Sequence, residues 1–226
     1  MSSRVSLTNE GGIGLLLIDN PPVNALSADV VAGLAQAVSQ FEADASLKAL
    51  VIACRGRTFV AGGDIRSFDD PAFDASPYNG TLARLEAADR PIIATLHGTV
   101  LGGGLELAIA CHWRIAQQGT GLGLPEVLIG VLPGSLGTQR LPRLVTVAHA
   151  LDMISGGQPI DADEALERGL LDAIVDASAG PVEAGLRYAR SLLAAGKGSR
   201  PPRQGEQSHR RLFQACTGRQ DRKSVV

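Results

Sequence analysis

The alternation of apolar and polar positions divides the chain into short apolar strands and amphipathic helices. Residues 13–19 (IGLLLID) and 49–54 (ALVIAC) are continuous apolar runs, which predict strands buried on both faces. Between them, apolar residues recur at helical spacing as far as Phe41, and Ser27 provides a cap at the start of this helix. Residues 91–116 predict a buried strand, a turn made of glycines, a short apolar helix and a second strand.

The rest of the chain repeats this arrangement. Residues 69–80 are polar and contain Pro and Gly, which predicts a surface loop before a helix over 81–89. Residues 121–138 predict mostly loop with a short strand. Further helices are expected over TQRLPRLV, TVAHALDMISG and DADEALERG, followed by a strand over LLDAIVD and a helix over 181–195. Strands that alternate with helices predict an α/β fold with a mainly parallel sheet.

Composition and charge separate a core from a tail. Residues 1–196 hold 13 Lys and Arg against 21 Asp and Glu, a net charge of −8, whereas residues 197–226 hold 8 against 2, a net charge of +6. We therefore expect a core domain over 1–195 and a linker with a basic tail, truncated or disordered, over 196–226. A basic tail can bind nucleic acid or a membrane surface, but a solvated chain end is the simpler interpretation.

The apolar runs and the cysteines indicate the compartment. No run reaches membrane-spanning length and the first ten residues lack a signal-peptide core, so we expect a cytoplasmic protein that associates with neither membrane nor nucleic acid. The odd number of cysteines (Cys54, Cys111 and Cys216) excludes complete pairing and indicates buried reduced thiols.

A run of three glycines, residues 102–104, precedes the short apolar helix. Free backbone N–H groups and the positive end of the helix dipole meet at such a position. Phosphate binding is disfavoured, because neither the P-loop pattern nor the dinucleotide spacing is present. An oxyanion hole and a tight turn that only brings helix and strand together both remain consistent with the glycines alone.

A second glycine turn, Ala61-Gly62-Gly63-Asp64, strengthens the oxyanion interpretation. Two such turns in adjacent units of one parallel sheet would bring two N–H groups to the same edge, where ligands bind in open α/β sheets.

Two glutamates lie in apolar surroundings, Glu106 in GGGLELAIA and Glu126 in LGLPEVLIG. Burying a carboxylate is costly unless it is hydrogen-bonded or used in catalysis. For each glutamate taken alone, a structural hydrogen bond explains the sequence as well as catalysis does. If the two face one cavity, they can serve as a general acid and a general base.

Other kinds of site are not supported by the sequence. The four histidines lack metal-ligand spacing, so no metal is expected. The sequence PGSLGT is not a nucleophile elbow, because Ser135 follows a glycine directly instead of lying two residues after one.

These motifs, in this order, resemble the enoyl-CoA hydratase/isomerase (crotonase) superfamily from about residue 12 to about 195. The segments that carry the resemblance are FVAGGDIRSF, PIIATLHGTVLGGGLELAIAC and GLPEVLIGVLPGSLGTQRLPRLV, with support from SGGQPIDADEALERGLLDAIV. NPPVNALS and GLPEVLIGVLPG are similar especially to the N-terminal hydratase domain of multifunctional β-oxidation enzymes. The resemblance implies a crotonase-like repeated ββα superhelix with C-terminal helices.

The resemblance also implies a set of site residues. The two catalytic glutamates correspond to Glu106 and Glu126, and the two oxyanion-hole amides to Gly63 and Gly103. Contacts to the acyl-CoA substrate are implied for Ala25, Leu26, Ala61, Asp64, Ile65 and Arg66, and a water-positioning amide for Gly134.

The implied activity is hydration of the C2–C3 double bond of 2-enoyl-CoA thioesters in fatty-acid β-oxidation. No cofactor is expected besides the coenzyme A that the substrate carries, and a trimer-based homo-oligomer is implied. The alternatives are a Δ3,Δ2-enoyl-CoA isomerase and a non-catalytic acyl-CoA-binding module without the family's C-terminal covering helices.

Overall fold

A six-stranded, mostly parallel sheet organises the protein, in a computed structural model that describes residues 4–63 and 74–200. The strands run in the order β1-β2-β3-β4-β6-β9, and β1–β2 is their antiparallel pair. Their bounds are β1 Val5–Asn9, β2 Ile13–Ile18, β3 Ala49–Cys54, β4 Ile92–Leu96, β6 Trp113–Gln117 and β9 Ala173–Val175.

A smaller sheet and seven helices complete the described part. The small sheet pairs β5 with β7 in parallel and β7 with β8 antiparallel; its strands are β5 Thr99–Leu101, β7 Gly121–Gly123 and β8 Ile160–Asp161. The helices are α1 Ala28–Ala43, α2 Ser76–Ala87, α3 Gly103–Ala110, α4 Gly137–Leu144, α5 Val147–Gly156, α6 Ala162–Glu167 and α7 Gly180–Ala194. Short 3-10 helices occupy Pro125–Ile129 and Ala177–Ala179.

The central strands are buried on both faces, as their continuous apolar runs predict. Along β3, Leu50 and Ile52 join the larger core with α1, α2 and α3, while Val51 belongs to a second cluster that α7 covers. Gly185 lets α7 approach the sheet closely, since a Cβ there would lie 2.4 Å from Thr95 Oγ1. The mainly parallel α/β sheet expected from the sequence is therefore confirmed.

The structure also corrects the expected element boundaries. Residues 76–80 belong to α2 instead of to a surface loop, because Pro77 lies in the first turn, where a proline costs no helical hydrogen bond. The edge strand β1 has only one buried residue, Val5, so its mostly polar pattern did not predict a strand. Of the expected linker and tail over 196–226, residues 201–226 lie outside the described residues.

Candidate active site

Glu106 lies in the first turn of α3 and is almost completely buried, with 2% of its surface exposed. Its Oε1 atom accepts two hydrogen bonds, from the backbone N–H groups of Ser135 and Gly137, each at 2.8 Å. Leu136 stands between these two residues with a left-handed φ of 65°, which is uncommon for a residue with a side chain. This conformation turns both neighbouring amides toward the same carboxylate oxygen.

The environment of Glu106 acts on its pKa in both directions. Burial raises the pKa of Glu106 above its usual value, while the two amides and the nearby Arg140 guanidinium lower it. Burial has the larger effect, so the pKa of Glu106 is raised overall. The side chain is a carboxylate that two hydrogen bonds hold in place, and it takes up a proton at a higher pH than an ordinary glutamate does.

Glu126 lies in the 3-10 helix that follows β7, and it is half-buried. Its Oε1 lies beside the first glycine turn, because a Cβ at Gly102 would be 3.1 Å from that oxygen. Its Oε2 is buried and has no hydrogen-bond partner among the described residues. Burial first, and then the negative charge of Glu106, raise the pKa of Glu126 to about 7.

Glu126 lies close enough to Glu106 for the charge of Glu106 to raise the pKa of Glu126, although the two glutamates lie on different elements. Their surroundings differ: Glu106 accepts two amide hydrogen bonds, and Glu126 Oε2 accepts none from the described residues. A pair of carboxyls whose environments separate their pKa values can hold one proton between them at neutral pH.

The two glycine turns also meet. Leu101 N–H donates to the Val60 carbonyl at 3.1 Å, and a Cβ at Gly102 would be 3.8 Å from Gly62 Cα. Gly103 is the first residue of α3, where a backbone N–H has no partner within the helix. Gly63 pairs with Leu26 in an isolated bridge, whose hydrogen bond uses the Gly62 carbonyl, and the Gly63 amide donates to no acceptor among the described residues.

Close packing explains why the first turn consists of glycines. A Cβ at Gly104 would lie 2.1 Å from the Val60 carbonyl oxygen, and one at Gly103 would lie 2.7 Å from Leu26 Cδ1. Tyr78 of α2 donates a hydrogen bond of 2.6 Å to the Gly103 carbonyl. The start of α3 is therefore held from both sides.

A cleft of about 550 Å³ opens beside the Gly63 turn. Ala25, Ala61 and Gly63 line it, together with the prolines of the loop after β2. Leu26, another predicted substrate contact, packs against Gly103 at the start of α3 and is not among the residues that line this cleft. Of the predicted substrate contacts, Asp64, Ile65 and Arg66 lie outside the described residues, and Gly134 is exposed near the loop that binds Glu106.

Several residues that organise the site were not predicted from the sequence. The Ser135 and Gly137 amides bind Glu106, whereas the resemblance pointed only to Gly134. Asn24 is buried with a left-handed φ of 54°, and its Nδ2 donates to the carbonyls of Arg55 and Thr58 at 2.8 and 2.9 Å. These bonds fasten the Ala25 loop to the segment that leads to Gly63. In the sequence, the signal that could have indicated Asn24 is an asparagine between two apolar residues, shortly after two prolines.

Other kinds of site find no support in the described ranges. No three His, Cys, Asp or Glu residues between 4 and 63 or 74 and 200 cluster as metal ligands would. Within the same ranges, no helix has the length and apolar character needed to cross a membrane. Cys54 and Cys111 are buried free thiols, as expected, and Cys216 lies beyond the described residues.

Residues 8–199 match the family model described as Enoyl-CoA hydratase/isomerase. A Bacillus subtilis protein named "Probable enoyl-CoA hydratase" is 44% identical over 175 residues, which cover 75% of this chain and 68% of that protein. The chain belongs to the enoyl-CoA hydratase/isomerase family. The human peroxisomal bifunctional enzyme is 41% identical over 180 residues, or 80% of this chain, but the match spans only 25% of that enzyme.

The fold of this family member agrees with a solved relative. The crystal structure of enoyl-CoA hydratase from Bacillus anthracis superposes with a TM-score of 0.78 at 29% identity, and the match covers 84% of this chain and 77% of that one. The crotonase-like fold implied by the sequence is therefore confirmed.

Proposed function

We propose that the protein is an enoyl-CoA hydratase that adds water across the C2–C3 double bond of 2-enoyl-CoA thioesters, as a step of fatty-acid β-oxidation. The observation that carries the proposal is the pair of glutamates. Glu106 and Glu126 are electrostatically coupled beside two glycine turns, and their different surroundings favour one as base and the other as acid.

The glycine turns would stabilise the charge that forms during the reaction. Water addition at C3 creates an enolate on the thioester oxygen. The N–H groups of Gly63 and Gly103 are suited to donate to that oxygen, and removing one such donor in comparable sites costs about 3–4 kcal/mol. The dipole of α3 adds a favourable partial charge at Gly103.

The glutamates would complete the proton transfers. Glu106 takes a proton from water as its oxygen attacks C3, and Glu126 delivers its proton to C2. The pair begins and ends the cycle with one proton in total, so it needs no external acid or base. Glu106 Oε1 is occupied by two amides, and Oε2 is the oxygen that faces the water in this proposal.

The cleft beside Gly63 supports binding of the coenzyme A portion of the substrate. Its walls include Ala25 and Ala61, and Leu26 would contact the thioester end, because it touches the Gly103 turn. Asp64, Ile65, Arg66 and Gly134 are proposed to complete the substrate contacts. Coenzyme A enters as part of the substrate, and the proposed reaction uses no other cofactor.

A homo-oligomer is part of this proposal. Large apolar residues are exposed from Val127 to Leu132, and an exposed apolar patch of this kind marks a contact surface. Light scattering on the purified protein measures the subunit number directly.

Crotonyl-CoA tests the activity, because hydration removes the conjugated double bond and its absorbance. We expect absorbance loss on addition of the wild-type protein and retention of the signal with Glu106→Gln. Binding of crotonyl-CoA without any absorbance loss would instead indicate a non-catalytic acyl-CoA-binding module.

A Δ3,Δ2-isomerase activity is the second candidate, and Glu126 favours it. Its Oε2, which has no partner in the described part of the chain, and its pKa of about 7 are suited to moving a proton between C4 and C2 without help from Glu106. A 3-enoyl-CoA substrate would then gain absorbance as the double bond becomes conjugated. This activity should survive Glu106→Gln, whereas hydration should not.

A further inference from the structure

An ion pair with a buried guanidinium and a partly exposed carboxylate lies next to the loop that binds Glu106. Arg140 of α4 is 2% exposed, and its Nε and Nη2 donate to Glu86 Oε2 of α2 at 3.0 and 2.8 Å. Its Nη1 donates to the Ser135 carbonyl at 2.8 Å. A buried guanidinium is costly to desolvate, so pairs of this kind are retained where they fix a conformation or serve a function.

The contacts form a continuous path from α2 to the carboxylate. Glu86 fixes Arg140, Arg140 holds the carbonyl of Ser135, and the N–H of that same residue donates to Glu106 Oε1. One residue further on, Leu136 adopts its left-handed conformation, and then Gly137 donates the second hydrogen bond. Strained backbone of this sort persists only when surrounding contacts hold it.

We propose that the Glu86–Arg140 pair is a positioning device for Glu106. It holds residues 135–137 in the one conformation in which both amides reach Oε1, and this leaves Oε2 free to bind the attacking water. The inference rests on the proposed hydratase function, and neither residue touches the substrate in this role.

Several charged or titratable groups surround Glu106 in the described part of the chain. Glu126 from the 3-10 helix, Tyr78 from α2 and Arg140 from α4 interact with Glu106 directly. Glu86 of α2 contacts Arg140, and Cys111 at the end of α3 interacts with Tyr78 and Arg140. Of these, Arg140 is the cation, and its charge lowers the pKa of Glu106. Loss of Arg140 should therefore raise the pKa of Glu106 and move the acidic limb of the rate profile to higher pH.

The test compares Arg140→Gln, Arg140→Lys and Glu86→Gln. We expect Arg140→Gln to lower kcat for crotonyl-CoA by about 10- to 100-fold with KM almost unchanged, since the base is misplaced but the cleft is intact. Arg140→Lys keeps the positive charge but lacks the planar guanidinium that bonds Glu86 and Ser135 together, so its kcat should lie between those of Arg140→Gln and wild type. Glu86→Gln keeps one hydrogen-bond acceptor and should have the mildest effect. The double variant Glu86→Gln/Arg140→Gln should be no worse than Arg140→Gln alone.

A second ion pair on α2 provides the matched control. Arg84 donates to both carboxylate oxygens of Glu42, and this pair is exposed and makes no contact with the loop at 135–137. Arg84→Gln and Glu42→Gln should leave kcat and its pH profile unchanged. If Arg140→Gln fails to fold, Arg140→Lys and Glu86→Gln carry the test.

Two outcomes would overturn the proposal. One is a folded Arg140→Gln variant with kcat within about twofold of wild type and an unmoved acidic limb. The other is a carboxyl-carbon NMR titration in which the pKa of Glu106 does not rise in that variant. The titration requires no turnover, so it separates failure of this inference from failure of the hydratase assignment.

Discussion

Two glutamates of similar chemistry acquire different properties from their immediate neighbours. Burial raises the pKa of Glu106, while two amide hydrogen bonds and a nearby guanidinium oppose that rise by favouring its ionised form. Burial and then the negative charge of Glu106 raise the pKa of Glu126 to about 7, and its buried Oε2 has no hydrogen-bond partner among the described residues. The direction of proton flow in the proposed reaction follows from this difference.

The pH dependence of the rate tests the assignment at this scale. The active form of the pair carries one proton, on Glu126. Because the pKa of Glu126 is raised to about 7, kcat/KM for crotonyl-CoA should fall as the pH rises through that value. On the acidic side it should fall where Glu106 takes up a proton. A rate that stays constant from about pH 6 to pH 9 would contradict this division of roles.

The elements explain how distant residues meet. The sequence predicted both glutamates and both glycine turns as site residues, because residue type carries that information. It could not show that residues 135–137 fold over Glu106, since this depends on a left-handed φ at Leu136 and no glycine marks that position. The small sheet was also missed in part: β5 and β8 have three and two residues, too few for a periodic pattern.

Helix α2 is the clearest example of a misjudged element. Its mixed composition and its Pro77 and Gly80 favoured a loop over the first part, yet its buried face carries Tyr78 and packs on α3. Tertiary packing outweighed the weak local preference. Local propensity does not show which surface a helix packs against.

The glycines of the α3 turn give a prediction at the scale of the element. Gly104→Ala should destabilise the protein by about 1–3 kcal/mol, because its Cβ would collide with the Val60 carbonyl and push α3 away from its neighbour. Gly80→Ala in α2 is the control, since a Cβ there meets nothing within 4 Å and alanine should add about 0.5–1 kcal/mol. Urea unfolding of the two variants measures both changes. Equal midpoints would show that the close approach at Gly104 has no energetic consequence.

At the scale of the molecule, the last described residues return to the central sheet. Arg200 stacks on the Trp113 ring, with its guanidinium carbon 3.6 Å from the ring centroid, and its Nε donates to the His112 carbonyl at 2.9 Å. It also pairs with Asp172, which receives the Arg114 backbone N–H. The segment after α7 is thereby tied to β6.

Trp113 is the one tryptophan of the chain and reports on this contact. Arg200→Ala should shift its fluorescence emission to longer wavelength and lower the free energy of unfolding by about 1–3 kcal/mol, from the loss of a cation–π contact and charged hydrogen bonds. Lys197→Ala serves as the comparison, because Lys197 Nζ lies farther from the ring centroid, at 5.8 Å. Similar spectra for the Arg200 variant and wild type would show that the segment does not cover the ring.

The central claim is that Glu106 and Glu126 form one catalytic pair, and the initial rate of crotonyl-CoA hydration by Glu126→Gln tests it most directly. The substitution preserves the shape of the side chain and removes the proton that C2 must receive. The account predicts a rate lower by about 10²- to 10⁴-fold than that of wild type, with crotonyl-CoA still bound at unchanged affinity. A near-normal rate of hydration by this variant would contradict the assignment.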